Sequence, residues 1–374
     1  MRIDGIALYL VNNRFYKPWR TAYGSDDCNS VVIARMVSGA HEGWSESSPL
    51  PGPNYSYEYG CGAFLVARDF LAPVLVGREI GSARELNALL SHVKGNPFAK
   101  AALEMAWWTL YADVCGRTLG QVLGAERDRI EVGDAWGIAD SVDQLIANIG
   151  KSFDQGFRRV KLKIAPGWDE EMLAAVRSVF PDQTIHVDGN SAYSYAEHAD
   201  LFRRLDRFHL AMIEQPFQAG DLLHHAKLQA RIETPLCLDE AITEPWQAEI
   251  AAEMRACRYI NIKPARVGGL QNALDIHEIC RQAGIGCWVG GMLESDVGKG
   301  ICVELAALPN MTYSHDVTPA SDSYPENFSE TPIRMDPDRT ICLSRRVGSP
   351  VVPVLSRMLP MTADSAFFGV CAEA

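Results

Sequence analysis

The 374-residue chain has no C-x-x-C pair among its 10 cysteines, and no apolar run nears the ~20 residues that span a bilayer. The cysteines are scattered, mostly in apolar runs such as PLCLDE and IGCWVG. That distribution argues against a disulfide framework or a zinc site and predicts buried, reduced thiols. Positive charge is also short: 35 Lys and Arg stand against 47 Asp and Glu, a net charge of −12. A surface of that sign repels nucleic-acid phosphate and anionic membrane alike. No G-x-G-x-x-G follows a strand-like run, no G-x-S-x-G is present, and the 9 histidines form no H-E-x-x-H. Dinucleotide, serine-hydrolase and zincin chemistries therefore lack their signatures. The opening MRIDGIALYL reads as a strand and not as a signal peptide, so a cytoplasmic location is expected.

What is present is a globular composition, 47% apolar and 22% charged, long enough for two or three domains. The runs IDGIALYLV and SVVIARMVSG read as strands, and helical windows follow at 62–76, 81–93 and 97–114. The last window places Phe98, Leu103, Trp107, Leu110 and Val114 at helical spacing, with Pro97 suited to a first turn. This part, 1–125, is expected to be a small α+β domain. From about residue 130 short β-branched runs alternate with amphipathic windows. Strands are expected at 131–137, 159–164, 184–189, 211–215, 235–239, 258–262, 286–290 and 311–314, with a spacing of 24–27 residues from the second onward. Each step is one βα unit. Ser141 with Gln144 predicts a capping box at the helix after the first of them. Eight strands suggest a closed α/β barrel over 126–320; a doubly wound open sheet is the alternative, but it should show a glycine-rich phosphate turn.

A barrel carries its chemistry at the carboxyl ends of its strands. There the sequence has Lys161 and Lys163, Asp188 and Asn190, Glu214, Asp239 and Glu240, and Lys263. A single charge at a strand end is usually solvated, but five consecutive strands with grouped signs make that reading weak. Asp188, Glu214 and Asp239 come from neighbouring strands about 4.8 Å apart, so their oxygens can converge. Three carboxylates together repel unless a cation compensates, and an all-oxygen set favours a hard ion such as Mg²⁺. Salt bridges from nearby Lys or Arg are the plainer alternative. Lys163 and Lys263, half a barrel apart, should face each other across the mouth. Nearby cations, namely Lys161, the metal and Arg266, would lower the pKa of such a lysine toward use as a base. Metal plus opposed lysines suggests removal of a proton α to a carboxylate, through an enediolate.

The motifs KLK (161–163), DGN (188–190), IEQP (213–216), LDE (238–240), NIKPARVGG (261–269) and GGMLES (290–295) resemble, in that order, the muconate-lactonizing subgroup of the enolase superfamily. Within it they are most similar to o-succinylbenzoate synthases and N-succinylamino-acid racemases. The resemblance implies a modified (β/α)8 barrel of the (β/α)7β type under an N-terminal capping domain. A C-terminal segment, 321–374, would complete the barrel and pack on the cap. It also implies Mg²⁺, or Mn²⁺ in its place, on Asp188, Glu214 and Asp239, with Lys163 as base and Lys263 opposite. Lys161, Asn190, Glu240 and Arg266 would support them. The loops around Trp19 and Tyr23 and around Leu50 and Pro51 would form a lid, while Ala135, Gly291, Met292 and Leu293 would line the substrate end.

On this resemblance the expected activity is a Mg²⁺-dependent dehydration that gives 2-succinylbenzoate in menaquinone synthesis, a hydro-lyase reaction. Racemisation of N-acylamino acids by the same lysines is the alternative, and a non-catalytic binding barrel the third reading. Relatives that epimerise dipeptides usually carry D-x-D after the seventh strand. GGMLES in its place favours substrates with an acyl group or ring over a free amine. The resemblance further implies a small carboxylate substrate and a homo-oligomer.

Overall fold

The computed structural model describes residues 1–21 and 24–370. An antiparallel meander opens the chain: β1 (Gly5–Thr21), β2 (Gly24–Ser38) and β3 (His41–Ser47). The runs IALYLV (6–11) of β1 and VVIA (31–34) of β2 are continuously apolar because both faces are buried there. Ile6, Leu8, Leu10, Val32, Ala34 and Met36 enter the main core. The alternate residues Ala7, Tyr9, Val11, Val31 and Ile33 pack with Trp44, Val297 and Phe328 on the other side.

The helix Pro97–Val114 packs on β2 and β3. Of its expected stripe, Phe98, Leu103, Trp107 and Leu110 are buried and Val114 is exposed at the end. Burial runs almost all round it, as for a core helix. Gly43 of β3 is required by this approach, since a Cβ there would collide with the backbone of Ala106 and Leu110. The expected helix at 62–76 is broken into Gly60–Val66, a π turn Ala67–Leu71 and Ala72–Leu75. Pro73 explains the break, because it lacks the N–H that an α-helical ladder needs there.

The second sheet lies beyond β4 (Arg129–Glu131). It comprises β5 (Asp134–Trp136), β6 (Arg159–Lys163), β7 (Thr184–Asp188), β8 (Ile213–Glu214), β9 (Leu236–Leu238), β10 (Tyr259–Ile262) and β11 (Gly286–Val289). These seven strands are parallel, curled and adjacent in chain order, with helices between them. The eighth stave expected at 311–314 is not a regular strand. It makes single bridges at Met311 and His315, because its neighbour on one side is interrupted between β4 and β5. The segment still joins both edges: Thr312 N–H donates to Cys287 O at 2.9 Å, and His315 N–H to Glu131 O at 2.9 Å. Then β12 (Thr340–Cys342) pairs with β4, and β13 (Thr362–Gly369) returns to lie beside β1. Ser141 caps the helix Val142–Asp154 by accepting from Gln144 N–H. The Gln144 side chain bonds Asn148 at 2.9 Å, and no return bond to Ser141 is seen.

All nine described cysteines are free. Cys237, Cys257, Cys280, Cys287 and Cys302 are buried, whereas Cys61, Cys115 and Cys342 are exposed. Among the described residues no helix is long and apolar enough to cross a membrane.

The first sheet's helix and the barrel are fastened through Glu104. Its buried carboxylate accepts from Leu270 N–H at 2.7 Å, Gln271 N–H at 2.8 Å and Trp108 Nε1 at 2.9 Å. Gly269, at φ 123°, leaves room for that carboxylate, which any side chain there would strike. This accounts for the second glycine of the VGG motif. Glu104→Ala strands these donors in the interior and is expected to destabilise the protein by about 1–3 kcal/mol. A calorimetric melt with an unchanged midpoint would contradict that role.

Candidate active site

Strand register sets the site. Lys163 pairs with Asp188 across β6 and β7, Asp188 with Glu214 across β7 and β8, and Glu214 with Cys237 across β8 and β9. A lysine and two acids therefore stand in one row at the carboxyl edge, with Asp239 and Lys263 just beyond β9 and β10. All five, with Lys161, are buried.

Each acid is held by cations. Lys163 Nζ donates to Asp188 Oδ2 at 2.6 Å. Lys161 Nζ lies 2.5 Å from Asp316 Oδ2 and 3.4 Å from Glu214 Oε2, whose other oxygen accepts from Asn261 Nδ2 at 2.7 Å. Lys263 Nζ donates to Asp239 Oδ2 at 2.8 Å and to the Tyr55 hydroxyl at 3.0 Å, and Arg266 pairs with Asp239 Oδ1. Asn190 turns its N–H to Asp188 Oδ1 at 2.8 Å and its side chain to Glu240 Oε1 at 3.1 Å.

Among the described residues no three His, Cys, Asp or Glu side chains form a ligand set. The expected convergence of Asp188, Glu214 and Asp239 is thus not seen, because Lys161, Lys163, Lys263 and Arg266 hold their oxygens. The donor set nevertheless fits a hard divalent ion. It is all carboxylate, the lysines sit on flexible stems that can withdraw, and Asn190 Oδ1, Glu240 Oε2 and Asn261 Oδ1 are buried without a hydrogen-bond partner.

The chain's own groups push Lys161 and Lys263 up in pKa: burial disfavours their charge, but the facing groups outweigh it, Asp316, Glu214 and Asp188 for Lys161 and Tyr55, Glu240 and Glu214 for Lys263. Burial acts on Glu214 in the opposite sense, yet Lys161 and His186 hold it well below the usual carboxylate range. Burial, with the Asp188 charge, lifts Glu240 to about 7.

Lys161, Lys163, Lys263 and Asn190 line one cavity of ≈ 460 Å³. Trp19, Leu50, Ala135, Gly291, Met292 and Leu293 lie on its wall. Pro51 does not; Tyr55, a few residues on in the same loop, does. Glu240 and Arg266 belong to a neighbouring cavity of ≈ 730 Å³, and Tyr23 lies outside the described residues. Leu50 and Leu293 adopt φ of 73° and 57°, strained values for leucine held where the cap meets the mouth. The strand-seven loop is pinned from the cap: Asn29 Nδ2 donates to Leu293 O at 2.7 Å and Ser48 Oγ to Met292 O at 2.7 Å.

Sequence reasoning missed Tyr55, Arg159, Asn261 and Asp316. Asn261 had a signal, since it precedes Lys263 by two residues and shares its face. Asp316 ends the eighth stave as the other charges end theirs. Arg159, 2.6 Å from Asp316, opens β6 and had none beyond its charge.

Fold and site together define a capped β/α barrel with lysines on both sides of a row of buried carboxylates. Two family models match: the mandelate racemase / muconate lactonizing enzyme N-terminal domain over residues 5–124, and the enolase C-terminal domain-like model over 144–342. The chain belongs to the enolase superfamily, in its muconate-lactonizing subgroup. It is 41% identical over 330 residues to an N-succinylamino acid racemase of Thermus thermophilus, covering 88% of this chain and 89% of that one. An o-succinylbenzoate synthase of Geobacillus stearothermophilus is 39% identical over 333 residues, 89% of this chain and 88% of its own. The crystal structure of an enolase superfamily member from Listeria innocua superposes with a TM-score of 0.94 at 33% identity, covering 99% and 100% of the two chains.

Proposed function

We propose that this enzyme removes the proton α to a substrate carboxylate, and that its reaction is the dehydration that forms 2-succinylbenzoate for menaquinone synthesis. The observation that carries the acid–base reading is the pair Lys163 and Lys263, which come from strands four places apart and line one cavity above three buried carboxylates.

Asp188, Glu214 and Asp239 would hold Mg²⁺, or Mn²⁺. When bound, that ion supplies positive charge to draw in the substrate carboxylate and to offset the negative charge that collects there as the proton leaves. Lys163, released from Asp188 and neutral, takes the α-proton on its Nζ. The same ammonium then returns that proton to the departing β-hydroxyl, so water leaves and the ring becomes aromatic. Lys263, held protonated, faces the developing charge from the other side. Lys161, fixed by Asp316, adds a second positive charge. The lid and the pinned strand-seven loop exclude water.

Racemisation of N-succinylamino acids is the second reading, favoured by Lys263 lying inside the cavity with its ammonium turned to the site. There Lys163 would take a proton from one face of Cα while Lys263 delivers one to the other.

Proton NMR in D₂O with Mg²⁺ tests both. With the cyclohexadiene substrate, rapid appearance of the aromatic product is expected; Cα exchange of N-succinylamino acids with no dehydration would defeat the synthase reading.

A further inference from the structure

The neighbouring cavity of ≈ 730 Å³ has no part in the chemistry proposed above. It lies between the cap loop at residues 53–58 and the loops that follow β7, β8 and β9. Tyr57, Gly95, Gln218 and Glu244 on its wall are exposed, whereas Glu58, Phe98, Glu240 and Arg266 are buried, so it runs from the surface inward. Tyr55 and Asn190 line both cavities. The inner end reaches two of the three proposed metal ligands: Asn190 N–H donates to Asp188 Oδ1 at 2.8 Å, and Arg266 pairs with Asp239.

The two linings differ in sign. Among the described residues, six lysine and arginine side chains stand against four acids around the cavity of ≈ 460 Å³, a balance that suits an anionic substrate and repels a free cation. In the second cavity three carboxyl groups, those of Glu58, Glu240 and Glu244, stand against Arg266. Three oxygens of its lining residues are also idle. Asn190 Oδ1, Ser191 Oγ and Glu240 Oε2 are buried with no hydrogen-bond partner among the described residues, and Glu240 as a whole is 9% exposed. The Asn190 amide cannot be turned round, because its NH2 bonds Glu240 Oε1 at 3.1 Å and Asp188 Oδ2 at 3.4 Å, and carboxylates only accept. Bare oxygens in the interior are costly, and a hydrated divalent ion supplies what they lack, water protons and positive charge.

We infer that the second cavity is the path by which the divalent cation reaches Asp188, Glu214 and Asp239, passing the oxygens of Glu240, Ser191 and Asn190, while the anionic substrate enters through the first cavity. The inference deepens the acid–base reading and rests on it for the metal ligands.

Stopped-flow mixing of the metal-free protein with Mn²⁺, with a fluorescent chelator reporting the free ion, provides the test through the rates of association and release. A path sets rates and leaves the equilibrium alone. Ala192→Trp, which puts a large ring on the wall of the second cavity, should slow association and release by a common factor with Kd unchanged. Glu244→Lys on the exposed rim should slow association by about 10-fold. Lys151→Glu, an equally exposed charge reversal at the substrate cavity, should leave it unchanged. If Ala192→Trp does not fold by circular dichroism, Gln218→Trp on the same wall takes its place. Wild-type rates in the tryptophan variant, a loss of affinity in place of a common slowing, or faster association in Lys151→Glu overturns the route. Mn²⁺ binding that Asp239→Asn abolishes, with rates indifferent to the second cavity, keeps the metal reading and removes only the route. No Mn²⁺ binding by the wild type removes both.

Discussion

Lys163→Ala is expected to lower kcat by about 10³–10⁴-fold on the best substrate, the scale of losing a positioned general base. The chain should still fold. Asp188 keeps the N–H of Asn190 at 2.8 Å and Lys161 at 3.7 Å, so its buried charge is not abandoned. Circular dichroism should match the wild type while turnover, followed by NMR, collapses. Full turnover in the variant would end the assignment of Lys163 as base.

Asp239→Asn should act differently, because three groups converge on this one carboxylate. Lys263, Arg266 and the Tyr55 hydroxyl all contact it in the interior. Neutralising it leaves two buried cations short of their counter-charge, a loss on the scale of about 3–5 kcal/mol. The thermal midpoint of the metal-free variant should therefore fall. Metal affinity should drop as well, by more than the roughly 10–100-fold that follows disturbance of an outer-shell partner. Added Mg²⁺ raises the midpoint of a protein that binds it only when folded, so the wild type should shift and the variant should not. An unchanged Mg²⁺ affinity by titration would remove Asp239 from the proposed ligand set.

Much of the site was legible because a parallel barrel is periodic. A strand every 24–27 residues, each ending in a charge, located Lys163, Asp188, Glu214, Asp239 and Lys263 before any contact was known. The register then aligned the first three in one row. Tyr55 was not legible: it sits in a loop of SPLPGPNYSYEYG, 208 residues from the lysine it bonds, and loop patterning carries no direction. The eighth stave was placed correctly but given too much regularity, because a single strand's composition does not show that its neighbour is broken.

The sequence by itself determined the barrel rhythm, the strand character of the first runs and the order of acids and lysines at the mouth, since these depend on local periodicity and on the fixed offset between strands. Only the tertiary structure decided which cation holds which acid, that Tyr55 and the facing acids raise the Lys263 pKa against burial, and that the cap sends Tyr55 into the site. Those outcomes depend on distances between residues far apart in the chain and on the loss of water around them, and neither quantity is written in a local pattern.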